Sequence, residues 1–202
     1  VYAAGEVACV SVHGANRLGT NSLLDLIVFG KHAGLQAAEY ANGAVFQSLP
    51  EDAADFARQQ FEDIRASRGD EKLPEIAREM KSVMFDHVGV FRTEEGMRNA
   101  LAKIDELRQR IRHVKITDLG KIFNTELLNV WELGNLLDLA LVTTQSALER
   151  KESRGGHARE DYPKRDDAQW LKHTLAWLEG DKIRLSYKPV VITKYQPKER
   201  VY

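Results

Sequence analysis

Arg17 lies between two glycines, Gly14 and Gly19, shortly before an apolar segment that begins at Asn21. Glycine permits backbone conformations that are closed to other residues, and it lets a ligand or another segment come close. The planar guanidinium of arginine matches a carboxylate through two parallel hydrogen bonds. A helix that starts at Asn21 would add unpaired N–H groups that favour anions. The pattern predicts an anion site, although a helix cap beside a surface arginine fits it as well.

Three other features carry side chains that could take part in chemistry. His13 opens the same loop, but no neighbour in the sequence would tune it as a base, so we expect a structural role. Cys9 is the single cysteine, and we expect a small buried residue rather than a nucleophile. A charged cluster after residue 150 consists of Glu152, Arg154, His157 and Asp161. Metal binding, acid–base chemistry and a structural ion-pair network all fit this cluster.

The composition excludes several classes of protein. The 202 residues, 43% hydrophobic and 29% charged, can form one sizeable core or two small ones. A net charge of −1 lacks the basic footprint of a nucleic-acid-binding protein. No apolar run approaches the roughly 20 residues of a membrane-spanning helix, so we expect no direct membrane span. One cysteine excludes an internal disulfide framework and favours a reducing compartment.

Apolar spacing and capping residues predict a mainly helical chain. The predicted helices cover about 21–40, 73–88, 94–111 and 125–150. A capping box over residues 48–51, which begins with Ser48, predicts the start of one more helix that runs to about 67. The first helix is apolar nearly all round its early turns, so we expect it to be buried. Thr93 and Asn124 are the expected N-caps of the last two helices. Long amphipathic helices joined by short loops predict an antiparallel bundle.

Extended segments are predicted at both ends of the chain. Residues 1–5 form a short apolar sequence typical of a strand. Residues 182–187 alternate polar and apolar side chains, and 190–192 continue the extended character. No comparable partner for the first strand occurs before residue 180, and a lone strand leaves its backbone groups unpaired. We therefore expect residue 1 to lie in the middle of a larger domain.

Three stretches of the sequence resemble one known family. They are GE at 5–6 with SVHGANRLGTNSLLD at 11–25, KESRGGHAREDYP at 151–163, and PKERVY at 197–202. All three resemble the flavoprotein subunits of succinate dehydrogenase and fumarate reductase, and they occur in that family's order. The resemblance implies an α+β fold overall that is mainly α. In it, 1–45 end an FAD-binding α/β domain, 46–150 form an antiparallel helical bundle, and 151–202 form a C-terminal segment with short strands.

The resemblance also implies roles for residues of the opening segment. Glu6 resembles the acidic residue that hydrogen-bonds FAD, and Ser22 and Leu23 resemble residues whose backbone meets the flavin ring. Arg17 resembles the arginine that grips one carboxylate of succinate beside the flavin, so it is predicted to bind both substrate and cofactor. No metal ligand is expected. The family places the 151–163 motif after the bundle and away from the flavin ring, so the resemblance implies a structural ion-pair network for the cluster of Glu152, Arg154, His157 and Asp161.

The implied reaction is the oxidation of succinate to fumarate with FAD as the electron acceptor. The implied partners are an iron–sulfur subunit and membrane anchor subunits that deliver electrons to quinone. Such a subunit is peripheral, on the cytoplasmic side of the bacterial inner membrane or on the mitochondrial matrix side. The family's FAD pyrophosphate loop, covalent flavin histidine and proton-shuttle arginine have no counterpart here. We expect them upstream, which implies no catalytic residue within these 202 and no activity of this chain alone.

Three alternative functions stay open. Fumarate reductase shares all the motifs, although residues 8–13 and 23–25 look more like the dehydrogenase branch. L-aspartate oxidase shares the loop around Arg17 but fits the 197–202 ending poorly. The non-enzyme alternative is a helical interaction module that kept this sequence without the activity, because residues 46–150 look self-sufficient.

Overall fold

The computed structural model describes residues 2–198, which divide into two compact units. The first unit contains the residues up to 59 together with Arg154–Gly156, and the second contains 60–153 and the residues from 157 onward. The predicted mainly helical fold with small sheets is confirmed. Residue 1, and residues 199–202 of the predicted C-terminal motif, lie outside the described part of the chain. The domain boundaries at 45 and 150 stay predictions.

The elements of residues 2–198 follow one another in a simple order. The helices are α1 (Asn21–Gly43), α2 (Asp55–Ala66), α3 (Leu73–Val88), α4 (Glu94–Arg110), α5 (Thr125–Glu149) and the short α6 (Asp167–Trp170). The strands are β1 (Phe91–Arg92), β2 (Ala158–Arg159), β3 (Lys172–Glu179) and β4 (Lys182–Pro189). Two 3-10 turns occur at Gly5–Val7 and Ile111–His113. The functional predictions fall on the segment that leads into α1.

Helix α1 exposes most of its apolar residues, so the prediction that it is buried is wrong for the described chain. Leu23, Leu24 and Ile27 are 59%, 62% and 69% exposed, whereas Asp25 is buried. The turn at Gly5 packs on one side of the helix, against Leu26. An all-apolar surface is covered only where another element packs on it, and the described residues of this unit cover little of α1.

Two further expectations for the first 66 residues are wrong. Residues 2–4 do not form a strand, since no described segment pairs with them, and a 3-10 turn follows at Gly5–Val7. Helix α2 begins at Asp55 rather than near 51. Turns precede it, and the N–H of Ala53 donates to the carbonyl of Pro50. Local capping chemistry at Ser48 therefore did not suffice to start the helix there.

The second unit is built around α3, α4 and α5, which pack on one another. The caps at Thr93 and Asn124 are confirmed: Thr93 Oγ1 accepts from the N–H of Gly96 at 3.1 Å, and Asn124 Oδ1 accepts from the N–H of Leu127 at 2.8 Å. The fully buried core side chains recur at helical spacing, and they include Ile76, Met97, Ile104, Leu107 and Leu137. Burial of one face of each helix therefore stabilises this unit.

Strands β3 and β4 form an antiparallel hairpin in the second unit. Glu179 pairs with Lys182, so the turn consists of Gly180 and Asp181, and Gly180 has a φ of +62°. The predicted strand at 182–187 is confirmed and extends to Pro189, but 190–192 do not continue it. The partner strand β3 was not predicted. The expectation that no comparable strand occurs before residue 180 is therefore wrong.

The buried guanidinium of Arg159 joins the ends of two helices. Arg159 is 1% exposed, and it donates to the carbonyls of Leu148 at 2.9 Å and of Ala147 at 3.3 Å at the end of α5. It also forms two hydrogen bonds of 2.7 Å with Asp161. Asp161 in turn accepts from the N–H of Glu94, the first residue of α4, at 2.8 Å. The charge of Arg159 thus caps α5 and orients the carboxylate that meets α4.

His157 and Glu152 complete this predicted ion-pair network. The ring nitrogens of His157 lie 2.8 Å from Nη1 of Arg92 and 3.0 Å from the carbonyl of Arg150. Burial lowers the pKa of His157, which fits a neutral ring that accepts from Arg92 and donates to the carbonyl. The fully buried Glu152 pairs with Arg150 at 2.6 Å. Arg154, the fourth residue of the cluster, belongs to the first unit.

Replacing Arg159 with methionine should lower the free energy of unfolding of the chain by about 1–3 kcal/mol, because the carbonyls of Ala147 and Leu148 lose their buried donor. The change also removes the partner of Asp161, whose side chain is 30% exposed. Urea unfolding followed by circular dichroism measures the loss. Arg98→Met is the control, because Arg98 is 64% exposed in its pair with Glu94 and exposed pairs contribute less than about 1 kcal/mol. Equal losses in the two variants would contradict the role of Arg159.

The stabilisation from Asp161 should depend on pH. Hydrogen bonds from Arg159 lower the pKa of Asp161 from 3.8 to about 2 in the folded chain. A lowered folded-state pKa stabilises the fold fully above 3.8, and this contribution disappears as the pH falls towards about 2. The difference in unfolding free energy between the natural chain and Asp161→Asn should therefore shrink below pH 3.8. A difference that stays constant in acid would contradict this assignment.

Candidate functional site

The segment of residues 13–20, here called the Arg17 loop, is fixed by contacts at three places. At its start, Nε2 of His13 lies 2.9 Å from Oδ2 of Asp25 in the first turns of α1. In its middle, the carbonyl of Ala15 accepts from the N–H of Gly156 at 3.0 Å. Further on, Arg17 forms an ion pair with Glu6. All of these residues belong to the first unit, so the loop has a defined position within that unit.

The structure brings the predicted substrate residue and one predicted cofactor residue into direct contact. Nη1 of Arg17 donates to Oε1 of Glu6 at 2.6 Å, and the two side chains are 46% and 72% exposed. Among residues 2–198, hydrogen bonds of Arg17 are found only at Nη1. The other edge of its guanidinium, formed by Nε and Nη2, remains available for a second carboxylate. The pair with Glu6 also orients the planar group before any ligand arrives.

The start of α1 carries no side-chain cap. Thr20 precedes the helix with a φ of +67°, and its hydroxyl donates back to the carbonyl of Gly19 at 2.6 Å instead of accepting from a helix N–H. The N–H of Leu23 already donates to the carbonyl of Thr20 at 3.0 Å. The N–H of Ser22 meets no acceptor among the described residues. An uncapped helix start with a free N–H is the arrangement that accepts an anionic or carbonyl oxygen of a ligand.

His13 and Cys9 differ from what the sequence indicated. His13 has a partner that the sequence did not indicate, because the buried carboxylate of Asp25 holds its ring. Oδ1 of Asp25 is buried without a partner among the described residues. Cys9 is exposed and lies 3.8 Å from the hydroxyl of Ser11, so the prediction of a buried cysteine is wrong. His13 therefore closes the loop onto α1, which is a structural role.

Sequence reasoning missed the approach of a distant segment to the Arg17 loop. Arg154–Gly156 follows α5 in the chain, yet it belongs with residues up to 59, and Gly156 reaches Ala15. The two consecutive glycines at 155 and 156 were the available signal, because glycine pairs mark close backbone approaches. These glycines contact Ala15, two positions before Arg17. The position of the 151–163 motif relative to the flavin ring stays a prediction.

Two kinds of feature are absent from the described residues. Within 2–198, no group of three histidine, cysteine, aspartate or glutamate side chains is arranged to hold a metal ion. No helix in the same range combines the length and apolarity that crossing a bilayer requires.

Comparison with known proteins assigns the chain to a family. The family described as fumarate reductase flavoprotein C-term matches residues 77–202, and the family described as FAD binding domain matches residues 1–23. The chain belongs to the succinate dehydrogenase and fumarate reductase flavoprotein family. The predicted family and the predicted cofactor, FAD, are thereby confirmed. The Arg17 loop lies within the FAD-binding match.

Curated relatives carry both names of this family. The chain is 46% identical over its full length to the succinate dehydrogenase flavoprotein subunit of Rickettsia conorii. It is 44% identical over its full length to the fumarate reductase flavoprotein subunit of Haemophilus influenzae. The chain spans 35% and 34% of these two proteins, or about a third of their length. Relatives of both activities therefore align with every part of the chain.

A solved member of the family shares the fold. A chain of Escherichia coli quinol fumarate reductase matches with a TM-score of 0.90 and 43% identity. The match covers 98% of this chain and 35% of that one. A more distant match, adenosine-5-phosphosulfate reductase, has a TM-score of 0.65 at 16% identity and shows likeness of fold alone.

His13→Ala should lower the stability of the chain, and it should leave the pH profile of the full-length enzyme unchanged. His13→Ala leaves the buried carboxylate of Asp25 without a hydrogen-bond partner, which costs about 1–3 kcal/mol. Thermal unfolding measures this loss, and His32→Ala, an exposed histidine on α1, is the control that should change little. A base would behave differently: in the full-length protein, loss of an ionisation from the pH profile of kcat/KM would contradict the structural role.

Proposed function

We propose that this chain supplies the substrate arginine and part of the FAD site of a succinate dehydrogenase. The observation that carries the proposal is the position of Arg17, a partly exposed arginine held by Glu6 shortly before the uncapped start of α1. A fixed guanidinium and the free N–H of Ser22 present donors for negative charge within one short segment. A dicarboxylate beside a flavin requires this combination of donors.

Arg17 would bind one carboxylate of succinate and orient the rest of the molecule. Its Nε and Nη2 edge can form two parallel hydrogen bonds, which fix the plane of the carboxylate as well as its position. Such charge-assisted hydrogen bonds are worth about 1.5–3 kcal/mol. Their larger effect is to hold the two methylene carbons in one orientation throughout the reaction. Lysine would keep the charge but lose this control of orientation.

Glu6, Ser22 and Leu23 would hold FAD together with Arg17. The exposed carboxylate of Glu6 can accept from hydroxyl groups, and the free N–H of Ser22 can donate to an oxygen of the flavin ring. Leu23, 59% exposed, would contribute its position at the start of the helix, since its N–H is already engaged. The positive end of α1 would stabilise nearby negative charge by about 0.3–2 kcal/mol. When bound, FAD supplies the two-electron acceptance that no protein side chain offers.

The proposal assigns proton transfer to residues outside these 202. The proposal gives His13 the structural role of closing the Arg17 loop onto Asp25, and it places the base elsewhere. The residue that accepts the substrate proton, the loop that holds the FAD pyrophosphate and the covalent flavin histidine belong in the proposal to the part of the relatives that this chain does not span. The chain alone would therefore not catalyse the reaction.

We favour the dehydrogenase direction and an assembly at a membrane. The stretches at 8–13 and 23–25 and the Rickettsia relative support the direction. Fumarate reductase is the second candidate, supported by the Haemophilus relative and the Escherichia coli structure. Solved relatives include a quinol–fumarate reductase with menaquinol and a complex from Mycobacterium smegmatis. The proposed partners are accordingly an iron–sulfur subunit and membrane anchors that pass electrons to quinone, with this subunit peripheral on the cytoplasmic or matrix side.

The ratio of succinate oxidation to fumarate reduction tests the direction. Both rates are measured on the full-length flavoprotein in its complex, with an artificial electron acceptor for one and a reduced dye for the other. Faster succinate oxidation supports the dehydrogenase proposal, and faster fumarate reduction replaces it with the second candidate. A purified full-length protein without flavin would overturn both.

Arg17→Lys should lower kcat/KM for succinate about ten- to a hundred-fold in the full-length enzyme, the range expected from losing a charge-assisted pair. The flavin content, read from absorbance after acid precipitation, should change little. The matched control is Arg58→Lys, because Arg58 is exposed on α2 and pairs with Asp55 one turn away. An Arg17→Lys enzyme as active as the Arg58→Lys enzyme would show that Arg17 does not hold the substrate.

A further inference from the structure

We propose that Gly155 and Gly156 form a brace that sets the position of the Arg17 loop, with Gly155 as a positioning residue for dicarboxylate binding. The inference rests on the proposed function of Arg17. It adds a determinant of substrate affinity that lies well over a hundred residues away in the chain and carries no side chain. The brace is defined here as Gly155, Gly156 and their contacts with Ala15.

The first contact of the brace is a hydrogen bond between backbones. The N–H of Gly156 donates to the carbonyl of Ala15 at 3.0 Å. Ala15 lies two residues before Arg17, so this bond fixes the peptide plane from which the chain continues towards the guanidinium. The Arg17 loop contains no helix or strand whose backbone hydrogen bonds would hold that plane.

The second contact is a close approach that only glycine permits. Gly155 has a φ of +59°, and a Cβ built on it would lie 2.5 Å from the carbonyl oxygen of Ala15 and 2.6 Å from its carbonyl carbon. It would also lie 2.8 Å from the Cβ of Ala15. Side-chain Cβ atoms do not approach backbone atoms so closely, and the obstructing atoms cannot rotate away. Any side chain at 155 must therefore push the backbones of Gly155 and Ala15 apart, which breaks the brace.

Other glycines separate this steric effect from ordinary backbone strain. Gly180, in the β3–β4 turn, has a similar φ of +62°, but no described atom lies within 4 Å of its added Cβ. Gly156, the neighbour of Gly155, would place a Cβ 3.6 Å from the carbonyl oxygen of Ala15, which is an ordinary contact. Gly180→Ala thus reproduces the conformational cost, and Gly156→Ala tests an added methyl beside the same carbonyl.

A displaced Ala15 would change how Arg17 meets a carboxylate. Two parallel hydrogen bonds form only if the guanidinium has the correct position and the correct plane. In other enzymes a shift of about 1 Å is enough to lower a rate a hundred-fold. Glu6 holds only one edge of the guanidinium, so it does not fix the backbone behind it. The brace supplies that constraint from the opposite end of the side chain.

The test compares variants of the full-length flavin-loaded enzyme by their Kd for fumarate, titrated through the absorbance of the oxidised flavin. Gly155→Ala should raise this Kd at least about ten-fold, while Gly180→Ala, the control outside the brace, should change it less than about two-fold. Gly156→Ala keeps the N–H that donates to Ala15, so it should raise the Kd less than Gly155→Ala does. KM for succinate should rise in parallel with the Kd. A Gly155→Ala enzyme that matches Gly180→Ala would overturn the proposal.

A double-variant cycle with Arg17→Lys separates positioning from general damage. If the brace acts through Arg17, Gly155→Ala should add little to the Kd of an Arg17→Lys enzyme, whereas independent effects would multiply. Fold-changes in Kd that multiply in the double variant would overturn the brace proposal. If Arg17→Lys alone leaves the Kd unchanged, the proposed function of Arg17 fails, and the brace proposal falls with it.

A variant that relieves the clash keeps the test decisive if Gly155→Ala does not retain flavin. Ala15→Gly removes the Cβ in the contact and frees the backbone at 15 to move aside. Ala15→Gly with Gly155→Ala should therefore recover flavin binding and part of the fumarate affinity. A double variant no better than Gly155→Ala alone would show that the contact with Ala15 is not the cause.

Discussion

The guanidinium of Arg159, buried where α5 ends and α4 begins, is the interaction on which the second unit depends most. The carbonyls at the end of a helix have no partners within the helix, and burial removes water as a substitute. Arg159 satisfies these carbonyls and pairs with Asp161, which serves the start of α4. One buried charge thereby satisfies carbonyls at the end of α5 and orients the carboxylate that accepts from the start of α4. The network continues in the segment after α5, where His157 contacts Arg92 and the carbonyl of Arg150. Arg150 in turn pairs with Glu152.

The Arg17 loop in the first unit faces a different problem, because it belongs to no helix or sheet. A loop of this kind can hold a functional side chain only if contacts from outside fix its backbone. His13 with Asp25, and Ala15 with Gly156, provide these contacts, and Glu6 orients the guanidinium itself. The arginine is thus placed by groups that lie before, within and long after the loop in sequence.

The sequence predicted features that depend on local chemistry. The caps at Thr93 and Asn124, the helices α3 to α5 and the strand β4 follow from side-chain type and periodicity over short spans. It failed where the outcome depends on distant partners: the exposure of α1, the pairing of β3 with β4 and the contact between Asp25 and His13. For the site, spacing indicated Arg17 and the start of α1, and the family resemblance added Glu6. The approach of Gly155 to Ala15 is visible only in the three-dimensional structure, because no local pattern encodes a contact across more than a hundred residues.

The exposed apolar surface of α1 has a consequence for handling the molecule. Leu23, Leu24, Ile27 and Val28 lie side by side on its early turns and are all more than half exposed. A contiguous apolar patch in water favours association with any similar surface, including another copy. These 202 residues, if expressed by themselves, should therefore be difficult to keep in solution.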